Sequence, residues 1–350
     1  MDKVMDIEFD EITYLKNPDV MILKADYIQF LMSLTGPTVI DITGSDEQKC
    51  RVFTTLLHGN EPSGVIAIHR WLTAHDKLPS PTTNVRFIIC SVEAANISPL
   101  FSRRYLDGGK NINRCFSDKD TADCGFCQRA ILIEKAIKEV TPEVLVDLHN
   151  CAGSGPAFAV TPAVTPEVLS VTSYFCQTLI LSGLQLGTLM ERKFECPVIT
   201  IECGASNDEQ AHHIAYQGLK KLTLHDQSKN FKQSRAVDII YKPLRLELKP
   251  HTSLSYGEHD EGATGVCLKS NIEQLNYGIS RKEQMLGWVD DKGLDNFVLF
   301  NEHGENVIND YFSCRKNILT CSVDLRLFMA TNNESIALND CLFYVVKVST

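Results

Sequence analysis

Along the first two thirds of the 350-residue chain, unbroken apolar runs alternate with stretches whose apolar residues recur every three to four positions. Residues 52–57 (VFTTLL) predict a buried strand that ends at a polar loop. Residues 63–75 predict a helix, with Val65, Ile68, Trp71 and Leu72 on one side. Strands are predicted at 85–92 (VRFIICSV), 144–148 (VLVDL), 157–160 and 198–202 (VITIE). Helices are predicted at 128–140, 166–181 and 208–225. Strands apolar on both faces, alternating with helices of ten or more residues, give an α/β fold with a largely parallel sheet flanked by helices. From about residue 228 the pattern changes to short alternating segments at 236–241, 244–248, 265–268, 297–300, 318–327 and 341–348. Gly257, Gly262, Gly265, Gly278, Gly287, Gly293 and Gly304 punctuate this region. That is an all-β grammar. The polar stretch QSKNFKQS, 227–234, reads as a linker, so the expected domains are 1–229 (α/β, with motifs in 50–225) and 230–350 (β-rich).

Composition narrows the function. With 34 basic and 44 acidic residues the formal charge is −10, and no Lys/Arg-rich run offsets it, so nucleic acid and anionic membrane are poor partners. No apolar stretch reaches the roughly 18 residues needed to span a bilayer. The N-terminus is acidic and lacks a signal-peptide pattern. Thirteen scattered cysteines, several inside apolar runs (Cys90, Cys203, Cys321), read as reduced core thiols, which points to the cytoplasm.

Four motifs carry chemistry. His58-Gly59-Asn60-Glu61-Pro62-Ser63-Gly64 follows a strand and opens a helix, and the Gly-Asn bend lets His58 and Glu61 turn toward one ion. Alone, HxxE is a weak signal, because a loop histidine and a glutamate favoured at a helix N-terminus look the same. In Asp147-Leu148-His149-Asn150, residues two apart share a strand face at the sheet's C-terminal edge. His149 is the natural third ligand, and Asp147 is placed to orient an imidazole or to serve as an ordinary cap. In Thr200-Ile201-Glu202-Cys203-Gly204, a carboxylate ends an apolar strand, where burial demands a partner. Glu202 is a candidate general base toward a zinc-activated water. Arg103-Arg104-Tyr105 and Asn111-Ile112-Asn113-Arg114 gather guanidinium forks suited to carboxylates and oxyanions.

HGNEPSG, RRY…NINR, VDLHN and TIECG, in that order, resemble the succinylglutamate desuccinylase/aspartoacylase family, zinc deacylases related to zinc carboxypeptidases. The resemblance covers about residues 50–225. It implies one Zn2+ held by His58, Glu61 and His149, with Glu202 as general base and Arg104 as oxyanion stabiliser. It also implies that Asn113 and Arg114 grip a substrate carboxylate, and that a β-rich C-terminal domain follows a zinc-carboxypeptidase-like sheet. The implied activity is hydrolysis of the amide bond of a small N-acyl amino acid. The alternatives are a carboxypeptidase acting on small or cell-wall peptides and a metal-binding protein without catalysis. The family usually has glycine where Leu56 stands, and the stretch between Arg104 and Asn113 is about two residues longer than usual, which leaves Arg103 as a rival for the oxyanion role. A homo-oligomer is compatible with the sequence.

Other chemistry-bearing residues have blander readings. Cys124-Gly125-Phe126-Cys127 has no second CxxC at zinc-finger spacing. His69, His75, His212 and His213 lie on predicted helices and read as surface or satisfied core histidines. The ligand-rich segment from Gly257 through Gly262 reads as a solvated loop. No GxSxG or phosphate-cradling glycine loop is present.

Overall fold

A computed structural model describes residues 9–19, 21–74, 78–117, 125–151, 155–225, 236–259, 262, 264–339 and 341–348. Residues 1–8, His75, Cys124, the linker-like segment 227–234, and Asp260 with Glu261 lie outside them. The chain divides into two compact units, Met1–Asn150 with Ala157–Ile239 and Cys151–Pro156 with Ile240–Thr350.

In the first unit the elements run β1 (Thr13–Lys16), α1 (Tyr27–Ser33), β2 (Thr38–Ile42), β3 (Asp46–Thr55), α2 (Ser63–Ala74), β4 (Thr83–Ile89), α3 (Val92–Ala95), α4 (Gly125–Lys138), β5 (Pro142–Cys151), β6 (Phe158–Thr161), α5 (Pro166–Phe175), β7 (Thr178–Leu181), β8 (Val198–Ala205), α6 (Glu209–Leu224) and β9 (Asp238–Tyr241). The strands form one mixed sheet in the order β1-β2-β4-β3-β5-β8-β6-β7-β9. Its centre is parallel, β4 with β3 and β3 with β5, while β2 with β4 and β6 with β8 are antiparallel.

Alternation along the central strands explains why both faces are covered. Phe53, Ile40, Phe87 and Val146 enter one apolar cluster with residues of α1, α2, α5 and α6, including Phe30, Trp71, Val171 and Leu219. Their neighbours Val52, Val39, Ile88 and Leu145 enter another with Ala130, Ile133 and Ile137 of α4. Successive side chains of a strand point to opposite faces, so continuous apolar runs require a layer on each side. The α/β expectation is borne out.

One helix is shorter than the periodicity predicts. Helix α5 starts on schedule, with Thr165 accepting from the Val168 N–H and Pro166 in the first turn. It stops at Phe175, and Cys176 is extended (φ −151). Thr178–Leu181 then pairs in parallel with β6. Residues 178–181 suit either a helix or a strand, and the ladder to β6 decides. The terminal pairing of β1 with β2 also lies outside the predicted elements.

The second unit holds two five-stranded sheets. One comprises β10 (Leu244–Leu248), β13 (Ile279–Ser280), β15 (Phe297–Leu299), β18 (Leu325–Phe328) and β19 (Phe343–Lys347). The other comprises β11 (Leu254–Gly257), β12 (Val266–Lys269), β14 (Met285–Val289), β16 (Phe312–Arg315) and β17 (Ile318–Cys321). Leu246, Leu327, Phe343 and Val345 from the first, and Val266, Leu268, Phe312 and Leu319 from the second, share one core. The all-β grammar is borne out, with 318–327 split into two strands by a turn at 322–324. Most of the described cysteines are buried. Among the described residues, no helix is long and apolar enough to cross a membrane.

Candidate metal and catalytic site

Two parallel neighbours, β3 and β5, deliver the site at their C-terminal ends. Past β3 the backbone turns sharply at Leu56, which adopts φ 54 with its side chain fully buried. That left-handed conformation is one glycine enters freely and leucine enters at a cost of about 1 kcal/mol or more. Gly59 follows. A β-carbon there would lie 2.7 Å from both the Arg103 carbonyl oxygen and the Ala94 side chain, so only glycine lets the turn pass this close. The Gly59 N–H donates to the Arg104 carbonyl (2.9 Å), joining the turn to the arginine loop.

His58 and Glu61 leave this turn, and His149 arrives from β5. Ligand-type atoms of the three lie within 4.8 Å of one another, and all three residues are buried. Nδ1 of His58 is 2.8 Å from Glu61 Oε1, and Nδ1 of His149 is 2.6 Å from Glu61 Oε2. The other nitrogen of each ring is already engaged. His58 Nε2 lies 2.9 Å from Asn111 Oδ1, which also accepts from the Asn113 N–H. A backbone N–H can only donate, so the atom between them is the amide oxygen and His58 Nε2 carries the proton. His149 Nε2 lies 2.7 Å from Asp147 Oδ2, whose other oxygen accepts from Thr54 Oγ1 (2.7 Å). Strand alternation puts Asp147 and His149 on one face.

Electrostatics agree. Burial, then the Arg104 cation, push His58 down to about 4, so it is neutral near pH 7. Its Nδ1 lone pair, buried and with no hydrogen-bond donor, faces a carboxylate oxygen. Burial opposes charge on His149 and Glu61 too, but the mutual attraction of the pair, with Asp147 and His58, wins. His149 is held well above the usual histidine range and Glu61 well below the usual carboxylate range. His58 Nδ1 and Glu61 Oε1, both acceptors and 2.8 Å apart, would be reconciled by a shared cation. Two imidazole nitrogens and a carboxylate are the donor set zinc favours, with bonds of about 2.0–2.2 Å. The residues fit a zinc ion.

The remaining predicted residues are distributed unevenly. Arg104 joins the cluster through Nη1, 2.8 Å from Glu61 Oε1, and its side chain is 35% exposed. Arg103 turns away to Asp107 (3.3 Å) on the surface. Asn113 is buried, and its Oδ1 accepts from the Leu189 N–H (2.9 Å). Arg114 donates through Nη1 to the Asn113 carbonyl (2.8 Å). Glu202 lies half-buried on β8, next to β5 in the sheet and opposite Phe158 of β6. His69 is a core histidine bonded to the Leu23 carbonyl (3.1 Å). Asn111 escaped the sequence reading. Its only signal was an amide two residues before Asn113, and its partner His58 is 53 positions away.

The fold is shared with proteins of one group. A succinylglutamate desuccinylase from Vibrio parahaemolyticus superposes with a TM-score of 0.61 at 14% identity, covering 94% of this chain and 96% of that one. A succinylglutamate desuccinylase/aspartoacylase from Rhodobacter sphaeroides gives 0.56 at 13%, covering 89% and 88%. Murine aminoacylase 3 gives 0.51 at 16%, covering 87% and 96%. No curated protein sequence matches the chain significantly. Residues 53–173 match the family model described as the succinylglutamate desuccinylase/aspartoacylase catalytic domain. The resemblance is borne out by that match, whose segment contains three of the four motifs, with His58, Glu61, Arg104, Asn113, Arg114, Asp147 and His149; the TIECG motif with Glu202 lies beyond it.

Proposed function

We infer that the chain is a zinc-dependent hydrolase that cleaves the amide bond of an N-acyl amino acid. The observation that carries this reading is the convergence of two imidazole Nδ1 atoms on the two oxygens of Glu61, with each ring's other nitrogen already bonded. The family match supports the reaction class. Zinc bound there supplies Lewis acidity, polarising a carbonyl and making water acidic near neutrality.

His58, Glu61 and His149 would hold the ion, and Asp147 fixes the ring of His149. Glu202 accepts the proton of the attacking water and returns it to the leaving amine nitrogen. Arg104, at the solvent side of the cluster, offers a guanidinium to the oxyanion that develops on the carbonyl. Asn113, through its amide NH2 group, and Arg114 bind the substrate carboxylate and orient the scissile bond. Cysteines scattered through the buried core support a reducing compartment, the cytoplasm.

The test is Glu202→Gln, assayed on a panel of N-acetyl and N-succinyl amino acids with zinc content measured. Zinc content should stay at one per chain while turnover falls about 10²–10⁴-fold, the share of a positioned acid–base group. Parent protein that binds no zinc, or that cleaves none of the panel, would refute the reading.

A further inference from the structure

Asn150 immediately follows His149 and is buried, and each polar group of its side chain is engaged. Oδ1 accepts from the Ser63 N–H (3.0 Å). Nδ2 donates to Ser63 Oγ (2.7 Å) and to the Gly204 carbonyl (2.9 Å). The backbone N–H of Asn150 points at Glu61 Oε2 (3.3 Å). The amide orientation follows from chemistry: a backbone N–H can only donate, and a carbonyl can only accept. Ser63 Oγ, which accepts from Nδ2, also lies 2.7 Å from His212 Nδ1 on α6.

Three segments meet at this one side chain. Ser63 opens α2, two residues after Glu61. Asn150 is the last residue but one of the strand that carries His149. Gly204 lies two residues beyond Glu202 on β8, at φ 121, where glycine alone turns its carbonyl freely. We propose that Asn150 is a positioning residue that fixes the distance between the metal-holding carboxylate and the strand bearing Glu202. This rests on the proposed hydrolase reading. Asn150 touches neither zinc nor substrate in this account. It sets the geometry from which a displacement of about 1 Å costs about 100-fold in rate.

The test compares Asn150→Ala with Ser63→Ala. The second removes the hydroxyl and its link to His212, but leaves the Asn150 bonds to the Ser63 N–H and to Gly204. Four readouts are taken on the full chain: zinc affinity by chelator competition, the visible absorption of the Co2+-loaded protein, amide hydrogen exchange of segments 58–63 and 202–205 without metal, and kcat and KM on the N-acyl amino acid panel. Asn150→Ala should weaken zinc binding about 10–100-fold, as outer partners of ligands do. It should change the Co2+ spectrum, speed exchange in both segments, and lower kcat with KM nearly constant. Ser63→Ala should stay within about threefold of the parent in zinc affinity, because the remaining bonds hold the ligand arm. If Asn150→Ala does not fold, Asn150→Ser, which keeps one donor and one acceptor on a shorter arm, is read the same way with smaller losses. An unchanged Co2+ spectrum and unchanged exchange, or equal losses in Ser63→Ala, overturn the proposal. Exchange that quickens in a parent lacking zinc affinity leaves the clamp standing and removes the hydrolase reading instead.

Discussion

His58 and His149 present the same ring nitrogen to the same carboxylate, yet the protein holds them by different means. His149 stands on a central strand, and its support is charged. Asp147 is two residues back on the same face and is itself fixed by Thr54 of the neighbouring strand. His58 stands on a turn, and its support is backbone shape plus a neutral amide from a distant loop. The consequence is opposite protonation. Asp147 and Glu61 outweigh burial and keep a proton on His149, whereas burial and Arg104 keep His58 bare down to about 4. A metal ion held by His58, Glu61 and His149 would, near neutrality, displace one proton, and that proton would come from the strand arm.

The largest effect should follow from breaking the charged arm. Asp147→Asn keeps the shape but removes the carboxylate, leaving His149 a weaker ligand in a buried site. Zinc affinity should fall about 10–100-fold at alkaline pH. The sign of the pH dependence follows from the proton on His149. In the parent, zinc affinity should rise with pH, because zinc and the proton would compete for that nitrogen. In the variant, His149 gives up its proton more readily, so the slope flattens and the loss shrinks as pH falls. Chelator competition across pH checks both. A uniform loss at every pH would mean that Asp147 acts by orientation alone.

The shape-dependent arm is tested at Gly59. Gly59→Ala places a methyl within van der Waals overlap of the Arg103 carbonyl and Ala94, and backbone must move to relieve it. The expected cost is about 1–3 kcal/mol of stability, that of an overpacked interior site. It should show as a lower denaturation midpoint with unchanged m. Zinc affinity should fall as well, because the same shift displaces His58. A variant of parental stability would show that the turn has slack.

The two arms also differ in how far the sequence announced them. Asp147 and His149 are legible because a strand repeats every two residues, so adjacency in sequence becomes adjacency in space. The link from His58 to Asn111 is not legible, since it spans 53 positions and joins a histidine to an uncharged amide. Burial also hides intent at His212. A helix histidine reads as core filler, and it is indeed core, but it closes a chain of hydrogen bonds through Ser63 to Asn150. Apolar runs that recur with the helical period gave α2 and α6 nearly to their ends, while 166–181 read as one helix because strand pairing to β6 leaves no trace in local periodicity. Leu56 marks the limit of local rules. Its conformation favours glycine, yet a fully buried leucine side chain gains about 1.5–3 kcal/mol by staying out of water, which outweighs the strain.

The smallest effect is expected at Asn111. Asn111→Ala removes the acceptor for His58 Nε2 and the side-chain cap on the Asn113 N–H, but no charge leaves the site. His58 is already neutral, and burial and Arg104 set that state without Asn111. The ring loses orientation rather than basicity, so zinc affinity should fall no more than about tenfold, the low end for outer partners. The loss should be nearly the same at every pH, in contrast to Asp147→Asn. Asn111→Asp sharpens the comparison by giving His58 the kind of partner His149 has. A carboxylate beside Nε2 raises the affinity of His58 for a proton as well as for zinc. Metal loading should then displace a second proton, and the slope of log affinity against pH should steepen above the parent's. A slope that stays at the parental value in Asn111→Asp would mean that Arg104 and burial alone govern the His58 arm, whatever faces its outer nitrogen.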